Sequence, residues 1–123
     1  MRILVCGGRN LDEWAVSSYL STLLQHVVVK EVIHGGAKGV DRGAEKFANF
    51  YSIKSTVFCA DWDRYKQAAG PIRNQEMLDK SKPDIVIAFS GGTGTADMVK
   101  RAVKAYIPVL TIPDGWNGSV LPF

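Results

Sequence analysis

The chain alternates between two kinds of pattern, and that alternation constrains its fold more than any other feature. Short apolar, β-branched runs occur at Ile3–Cys6, Glu31–His34, Thr56–Cys59, Asp84–Phe89 and Pro108–Ile112. Each is nearly continuous rather than alternating, as expected of strands covered on both faces. Between them apolar residues recur at three- and four-residue steps, the mark of amphipathic helices. One set is Val16, Tyr19, Leu20, Leu23, Leu24 and Val27. A second is Val40, Ala44, Phe47, Ala48 and Tyr51, and a third is Ala96, Val99, Ala102, Val103 and Tyr106. A further helix is predicted from Pro71, a residue suited to first turns, to about Lys80. Its apolar stripe is thin: Ile72, Met77 and Leu78.

Strands that alternate with helices through short loops predict an α/β fold. The expected form is a small doubly wound parallel sheet of five strands, with helices on both faces and right-handed crossovers. The pattern does not set the strand order. Order 3-2-1-4-5 would bring the loops after strands 1 and 4 side by side, where the winding reverses.

The 123 residues make one domain, 1–123, with no internal repeat, low-complexity tract or linker. Hydrophobic residues are 46% and charged residues 22%, the balance of a soluble globular chain. The net charge of +3 suits an anionic ligand but is too small to argue for nucleic acid. Cys6 and Cys59 are too few and too far apart for a disulfide framework, so buried reduced thiols are expected. The apolar stretch before Gly7 is too short for a signal-peptide core, and no run approaches the ~18 residues of a membrane span. A cytoplasmic protein is expected. Trp116, Leu121 and Phe123, in the tail after Pro113, are expected to pack on the body or on a second subunit.

In this architecture ligands bind at the carboxyl ends of the strands. After strand 1 comes Gly7-Gly8-Arg9, and after strand 2 comes Gly35-Gly36-Ala37-Lys38-Gly39-Val40-Asp41. After strand 3 comes Ala60 to Tyr65, then Gly70-Pro71-Ile72-Arg73-Asn74. After strand 4 comes Ser90-Gly91-Gly92-Thr93-Gly94-Thr95. Nine of the twelve glycines fall in these loops, where they let a ligand approach backbone N–H groups. The Gly91–Thr95 turn, with a helix expected near Thr95, aims free N–H groups and a positive helix end at one point. That is an anion site suited to phosphate. No G-x-x-x-x-G-K-[ST] motif is present. Gly92-Thr93-Gly94 begins a G-x-G-x-x-G pattern, but Asp97 stands where the third glycine belongs.

Several charged residues are candidates for the same crevice. Arg73 is expected to clamp phosphate bidentately, with Arg9 and Lys38 as further cations. Asp41 either caps helix 2 or binds ribose hydroxyls. Glu76 either pairs with Arg73 one turn earlier or acts as a catalytic carboxylate. His34, at a strand end, reads as a hydrogen-bonded structural residue ahead of a base. Trp62 and Tyr65 either stack on a base or pack the fold. No Cys/His/Asp cluster has metal-ligand spacing, so no metal and no cofactor are expected.

Taken together, these segments resemble the YspA-like, cpYpsA-related branch of the SLOG superfamily. The likeness rests on Gly7-Gly8-Arg9, on His34 to Arg42, on Ala60 to Met77 with its Ala-Gly-Pro-Ile-Arg-Asn-Gln block, and on Ala88 to Met98. It runs from residue 1 to about 112. The resemblance implies a Rossmann-like fold that binds a nucleotide or nucleotide-derived ligand, and relatives imply a homodimer. Lonely-guy-type phosphoribohydrolases of the wider superfamily carry P-G-G-x-G-T-x-x-E. Here Ser90 replaces the Pro and Met98 the Glu, while Asp97 sits about 100° around the helix. Arg73 matches those enzymes' arginine in spacing.

The expected ligand contacts are therefore Gly8, Arg9, Gly35, Gly36, Lys38, Asp41, Arg73, Asn74, Gly91, Gly92, Thr93, Gly94 and Thr95. The leading function is nucleotide binding. One alternative is cleavage of the base–ribose bond of a nucleoside monophosphate, with Glu76 or Asp41 as the carboxylate. A second, by analogy with the DNA-processing protein DprA, is single-stranded DNA binding through Trp62–Lys66, a reading the acidic neighbours weaken. Nucleic acid and membrane are not the expected partners.

Overall fold

A computed structural model describes residues 1–113; the tail residues Trp116, Leu121 and Phe123 lie outside the described residues. The strands are β1 (Arg2–Cys6), β2 (Glu31–His34), β3 (Lys54–Val57), β4 (Ile85–Ala88) and β5 (Val109–Thr111). The helices are α1 (Glu13–Leu23), α2 (Val40–Phe50), the single turn α3 (Trp62–Tyr65), α4 (Ala69–Ser81) and α5 (Thr93–Lys104). A three-residue 3-10 turn, Lys66–Ala68, joins α3 to α4. The sheet is parallel with order β3-β2-β1-β4-β5. The loops after β1 and β4 are thus neighbours, and the winding reverses between them.

The side-chain period of two sorts β1 onto two cores. Ile3 and Val5 face α1 and α2, where they meet Val16, Leu20, Val40, Ala44 and Phe47. Leu4 and Cys6 face α4 and α5, where they meet Met77, Leu78, Met98 and Ala102. The doubly covered sheet expected from the continuous runs therefore holds for β1 and for the core of β4. It does not hold at the edges. β3 and β5 are partly exposed, and β3 begins two residues earlier than its apolar run. The register explains the shift: β2 has only Glu31–His34 to offer, and these pair with Lys54–Val57. The pairing ends at His34 and Val57; Phe58 N–H still donates to His34 O at 2.9 Å, and Cys59 lies past it. Cys59 is exposed, contrary to the expectation of a buried thiol, whereas Cys6 is buried.

Helix ends follow their capping chemistry. Asp12 Oδ2 accepts from Ala15 N–H at 2.8 Å and caps α1, which begins at Glu13, three residues before its first buried position, Val16. α4 starts at Ala69 rather than Pro71, with the proline in its first turn, and ends at Lys82 in the left-handed region (φ 46°). Ile72 points to solvent, so the buried stripe of α4 is Asn74, Met77 and Leu78.

Where α1 crosses α2, Gly43 allows the closest approach. A Cβ there would lie 2.6 Å from Val16 Cβ and 2.9 Å from Glu13 O. Helix propensity alone favours Ala over Gly by ~1 kcal/mol, whereas overpacking costs ~1–3 kcal/mol. The contact wins because backbone and a β-branched side chain cannot yield easily. Gly43→Ala is therefore expected to lower stability by up to about 2 kcal/mol in urea unfolding. A gain in stability would contradict this contact.

Candidate functional site

Three loops meet at the carboxyl ends of the central strands and are joined backbone to backbone. Gly8 N–H donates to Ser90 O at 2.8 Å, and Val40 N–H donates to Gly8 O at 3.1 Å. The first bond ties the β1 loop to the β4 loop, and the second ties it to the start of α2. Gly39 makes the second possible. Its φ of +76° suits glycine, and a Cβ there would collide with Gly8 O. The joined loops form the floor of a cavity of about 610 Å³, a size typical of small-ligand sites.

At one part of this cavity α5 begins. Gly92 is its N-cap, no side chain caps the turn, and no acidic residue lies in it. The first helical bond is Ala96 N–H to Gly92 O at 3.1 Å. The preceding N–H groups have no helical acceptor. Thr93, Gly94 and Thr95 line the cavity, so the helix starts two residues earlier than Thr95.

Arg73 is the central cation but is heavily committed. Its Nη1 donates to Gly35 O at 3.1 Å and to Phe58 O at 3.3 Å, and its Nε donates to Asn74 Oδ1 at 3.1 Å. The guanidinium thereby fastens the β2 and β3 loops to α4. Nη2 has no partner among the described residues, so one nitrogen rather than the whole fork is left for a ligand. Gly35 leaves room for this arrangement: a Cβ would collide with Nη1 and lie 3.1 Å from Asp41 Oδ2.

Asp41 lies within the first turn of α2 rather than at its cap. Its Oδ2 accepts from Ala37 N–H at 3.1 Å, folding the Gly35–Ala37 loop inward. It lines the cavity with only 7% of its surface exposed. Burial raises its carboxyl above the usual value of 3.8, against the lowering effects of the Ala37 N–H, His34 and Arg73. Cys6, the last residue of β1, also lines the cavity; burial and the Asp41 charge push its thiol up to about 12.

Asn74 is a buried junction. Its Nδ2 donates to Gly94 O at 3.1 Å and to Asp97 Oδ2 at 3.0 Å, while its Oδ1 receives Arg73. It acts between protein groups on α4 and α5. Asp97 lines the cavity, although a position 100° from the hydrolases' Glu suggested otherwise. Burial acts to raise its pKa, but hydrogen bonds from Arg101 and Asn74 outweigh that and hold it low. Met98, at the position of that Glu, is buried in the core.

The remaining candidates divide. Gly8, Arg9, Gly35, Gly92, Thr93, Gly94 and Thr95 line the cavity with Asp41, Arg73 and Asn74; Gly36, Lys38, Gly91 and Glu76 do not. Gly36 N–H donates to His34 Nδ1 at 3.0 Å, and His34 Nε2 meets Glu45 Oε1 at 2.7 Å, so His34 is structural. Lys38 is exposed. Gly91 packs on the β1 loop, where a Cβ would lie 2.8 Å from Gly8 N. Glu76 pairs with Lys80 at 2.9 Å, not with Arg73, and stands outside the cavity. Of the two aromatics, Trp62 lines the cavity and Tyr65 does not. Cys6 and Gln67, which the sequence did not single out as ligand contacts, line it too. The position of Cys6 directly before Gly7 was the available signal.

Among the described residues no group of three or more His, Cys, Asp or Glu could hold a metal ion. None of the described helices is long and apolar enough to cross a membrane.

A family model described as YspA, cpYpsA-related SLOG matches residues 1–65. Gene 61 protein of Mycobacterium phage D29 is 34% identical over 90 residues, which span 68% of this chain and 71% of that protein. Among solved structures, UDP-GlcNAc 2-epimerase from Neisseria meningitidis bound to UDP-GlcNAc is similar, with a TM-score of 0.58 and 19% identity. The similarity covers 95% of this chain and 34% of that one, so the chain spans about a third of the epimerase. At that identity the likeness shows the fold, which is Rossmann-like.

The buried Asp41 makes a signed prediction. A raised pKa means that the folded state holds the proton to higher pH than the unfolded state. Stability therefore falls as pH rises from 3.8 through the folded value, then levels off. Asp41→Asn removes that fall and keeps an oxygen for Ala37 N–H. Its stability relative to the parent is expected to rise between about pH 4 and neutrality in chemical unfolding. Parallel curves for the two proteins would contradict the buried carboxyl.

Proposed function

The chain belongs to the YspA, cpYpsA-related SLOG family, and on that premise we propose that it binds a nucleotide or nucleotide-derived small molecule at the strand ends, with phosphate at the Gly92–Thr95 turn. The observation that carries this reading is the uncapped first turn of α5 opening on a cavity of ligand size. An anion there accepts from backbone N–H groups that have no acceptor among the described residues and meets the positive end of the helix. The Thr93 and Thr95 hydroxyls add donors. Arg73 Nη2 and Arg9 supply positive charge, and Asp41 is placed to accept from sugar hydroxyls.

Calorimetry with AMP, ADP-ribose, NAD and cyclic nucleotides tests the reading; no heat with any of them, at concentrations that detect micromolar binding, overturns it. A sharper test uses Gly94→Asp. A Cβ at Gly94 meets nothing within 4 Å, and a carboxylate in a first turn stabilises a helix by ~0.3–1 kcal/mol. The variant is therefore expected to melt no lower than the parent while losing phosphate-ligand affinity at least about tenfold through like-charge repulsion. Unchanged affinity would move the phosphate elsewhere.

A second reading, hydrolysis of the base–ribose bond, has one observation in its favour. Asp41 is a buried carboxyl with a raised pKa in the cavity wall, near the Arg73 guanidinium. In that reaction it assists attack of water on the anomeric carbon as positive charge develops there. Glu76 is not placed to do so. Chromatography for free base after incubation with nucleoside monophosphates decides: release by the parent and loss in Asp41→Asn support hydrolysis.

A further inference from the structure

The cavity has a wall that the phosphate reading leaves unused. Trp62 lines it, as do Gln67 from the following turn and Gly70 and Pro71 from the start of α4. Trp62 is a large aromatic ring left 49% exposed. Part of the ring rests near the α4 backbone, where a Cβ on Gly70 would lie 3.4 Å from Trp62 Cη2. The exposed remainder is apolar surface in the wall of a ligand-sized space. Such a surface gains most from a flat apolar partner.

The segment that carries this ring is lightly held. Neither α3 nor the 3-10 turn after it buries a residue. Lys66 takes a left-handed φ of 52° without being glycine. Asp61 Oδ1 caps α3 by accepting from Arg64 N–H at 3.2 Å, so the turn is defined by local bonds rather than by core packing. Small shifts of this segment cost little, and the ring can settle on a ligand face. Tyr65 on the same turn is the internal contrast. It does not line the cavity, and the Arg64 guanidinium lies 5.0 Å from its ring centre.

We infer that Trp62 is the stacking platform for a planar heteroaromatic ring, so that the ligand of this site carries a nucleobase and is not a bare sugar phosphate. The inference rests on the phosphate reading above, because the phosphate seat places the ligand in this cavity. Stacking on one face tolerates any base, since every base presents a π face. Gln67, on the same segment and in the same cavity, carries both a donor and an acceptor for a base edge.

The test compares dissociation constants for ribose 5-phosphate and for the four nucleoside monophosphates, measured by calorimetry on the full chain. The parent is expected to bind nucleoside monophosphates at least about fivefold tighter than ribose 5-phosphate. Trp62→Ala is expected to bring that ratio to within about twofold of unity, whereas Trp62→Phe and Tyr65→Ala keep it. Exposure of Trp62 makes its replacement tolerable to the fold. A parent ratio near unity, a ratio that survives Trp62→Ala, or an equal collapse in Tyr65→Ala overturns the inference. If ribose 5-phosphate binds and the bases add nothing, only the inference fails. If neither class of compound binds the parent, the phosphate reading fails with it.

Discussion

The site depends on two hydrogen bonds made by one residue. Gly8 donates its N–H to Ser90 O and receives the N–H of Val40 on its own carbonyl. Through these bonds the loop after β1 is joined on one side to the loop that leads into α5, and on the other to the start of α2. The parallel register of β1 with β2 and β4 brings the three strand ends level, and Gly8 then fixes the loops that leave them. Where α5 points, how wide the cavity is and where Asp41 sits all follow from that junction. Backbone bonds of this kind do not depend on side-chain rotamers.

Above that floor the polar groups form a second layer of constraint. Arg73 is held by the carbonyls of Gly35 and Phe58 and by Asn74, and Asn74 in turn holds Gly94 O and Asp97. The guanidinium is thus part of the scaffold first and a ligand group second. Asp97, neutralised by Arg101 at 2.8 Å, adds little free negative charge to the cavity. Asp41 is the carboxyl whose burial leaves its charge poorly compensated. The cavity accordingly has a positive helix end, a fixed cation and one acid whose protonation is sensitive to its surroundings. A phosphorylated sugar carrying hydroxyls matches that set.

The sheet was legible because its signals were local. Continuous β-branched runs separated by helical periods specified five strands and two covered faces, and β1, at the centre, followed that reading with one exposed residue, Arg2, added at its start. The edges were not legible. β3 lies two residues before its apolar run because its register is copied from β2, and no property of residues 54–59 reveals that. The glycine-rich loops pointed to the cavity, since Gly8, Gly35 and Gly92–Thr95 line it. The cations were harder to place. Arg73 looked free because a sequence does not show that three acceptors from separate segments converge on it. Glu76 looked available because a helix places partners on either side, and it took Lys80 rather than Arg73.

In the function proposed above, phosphate sits on the first turn of α5, within loops joined at Gly8. Backbone amide resonances followed during a titration with AMP test it most directly. The amides of Gly92, Thr93, Gly94 and Thr95 are expected to shift together and saturate with a single dissociation constant, with Gly8 following through its bond to Ser90. Saturable binding that leaves those amides unmoved, while residues elsewhere on the surface shift, would contradict it.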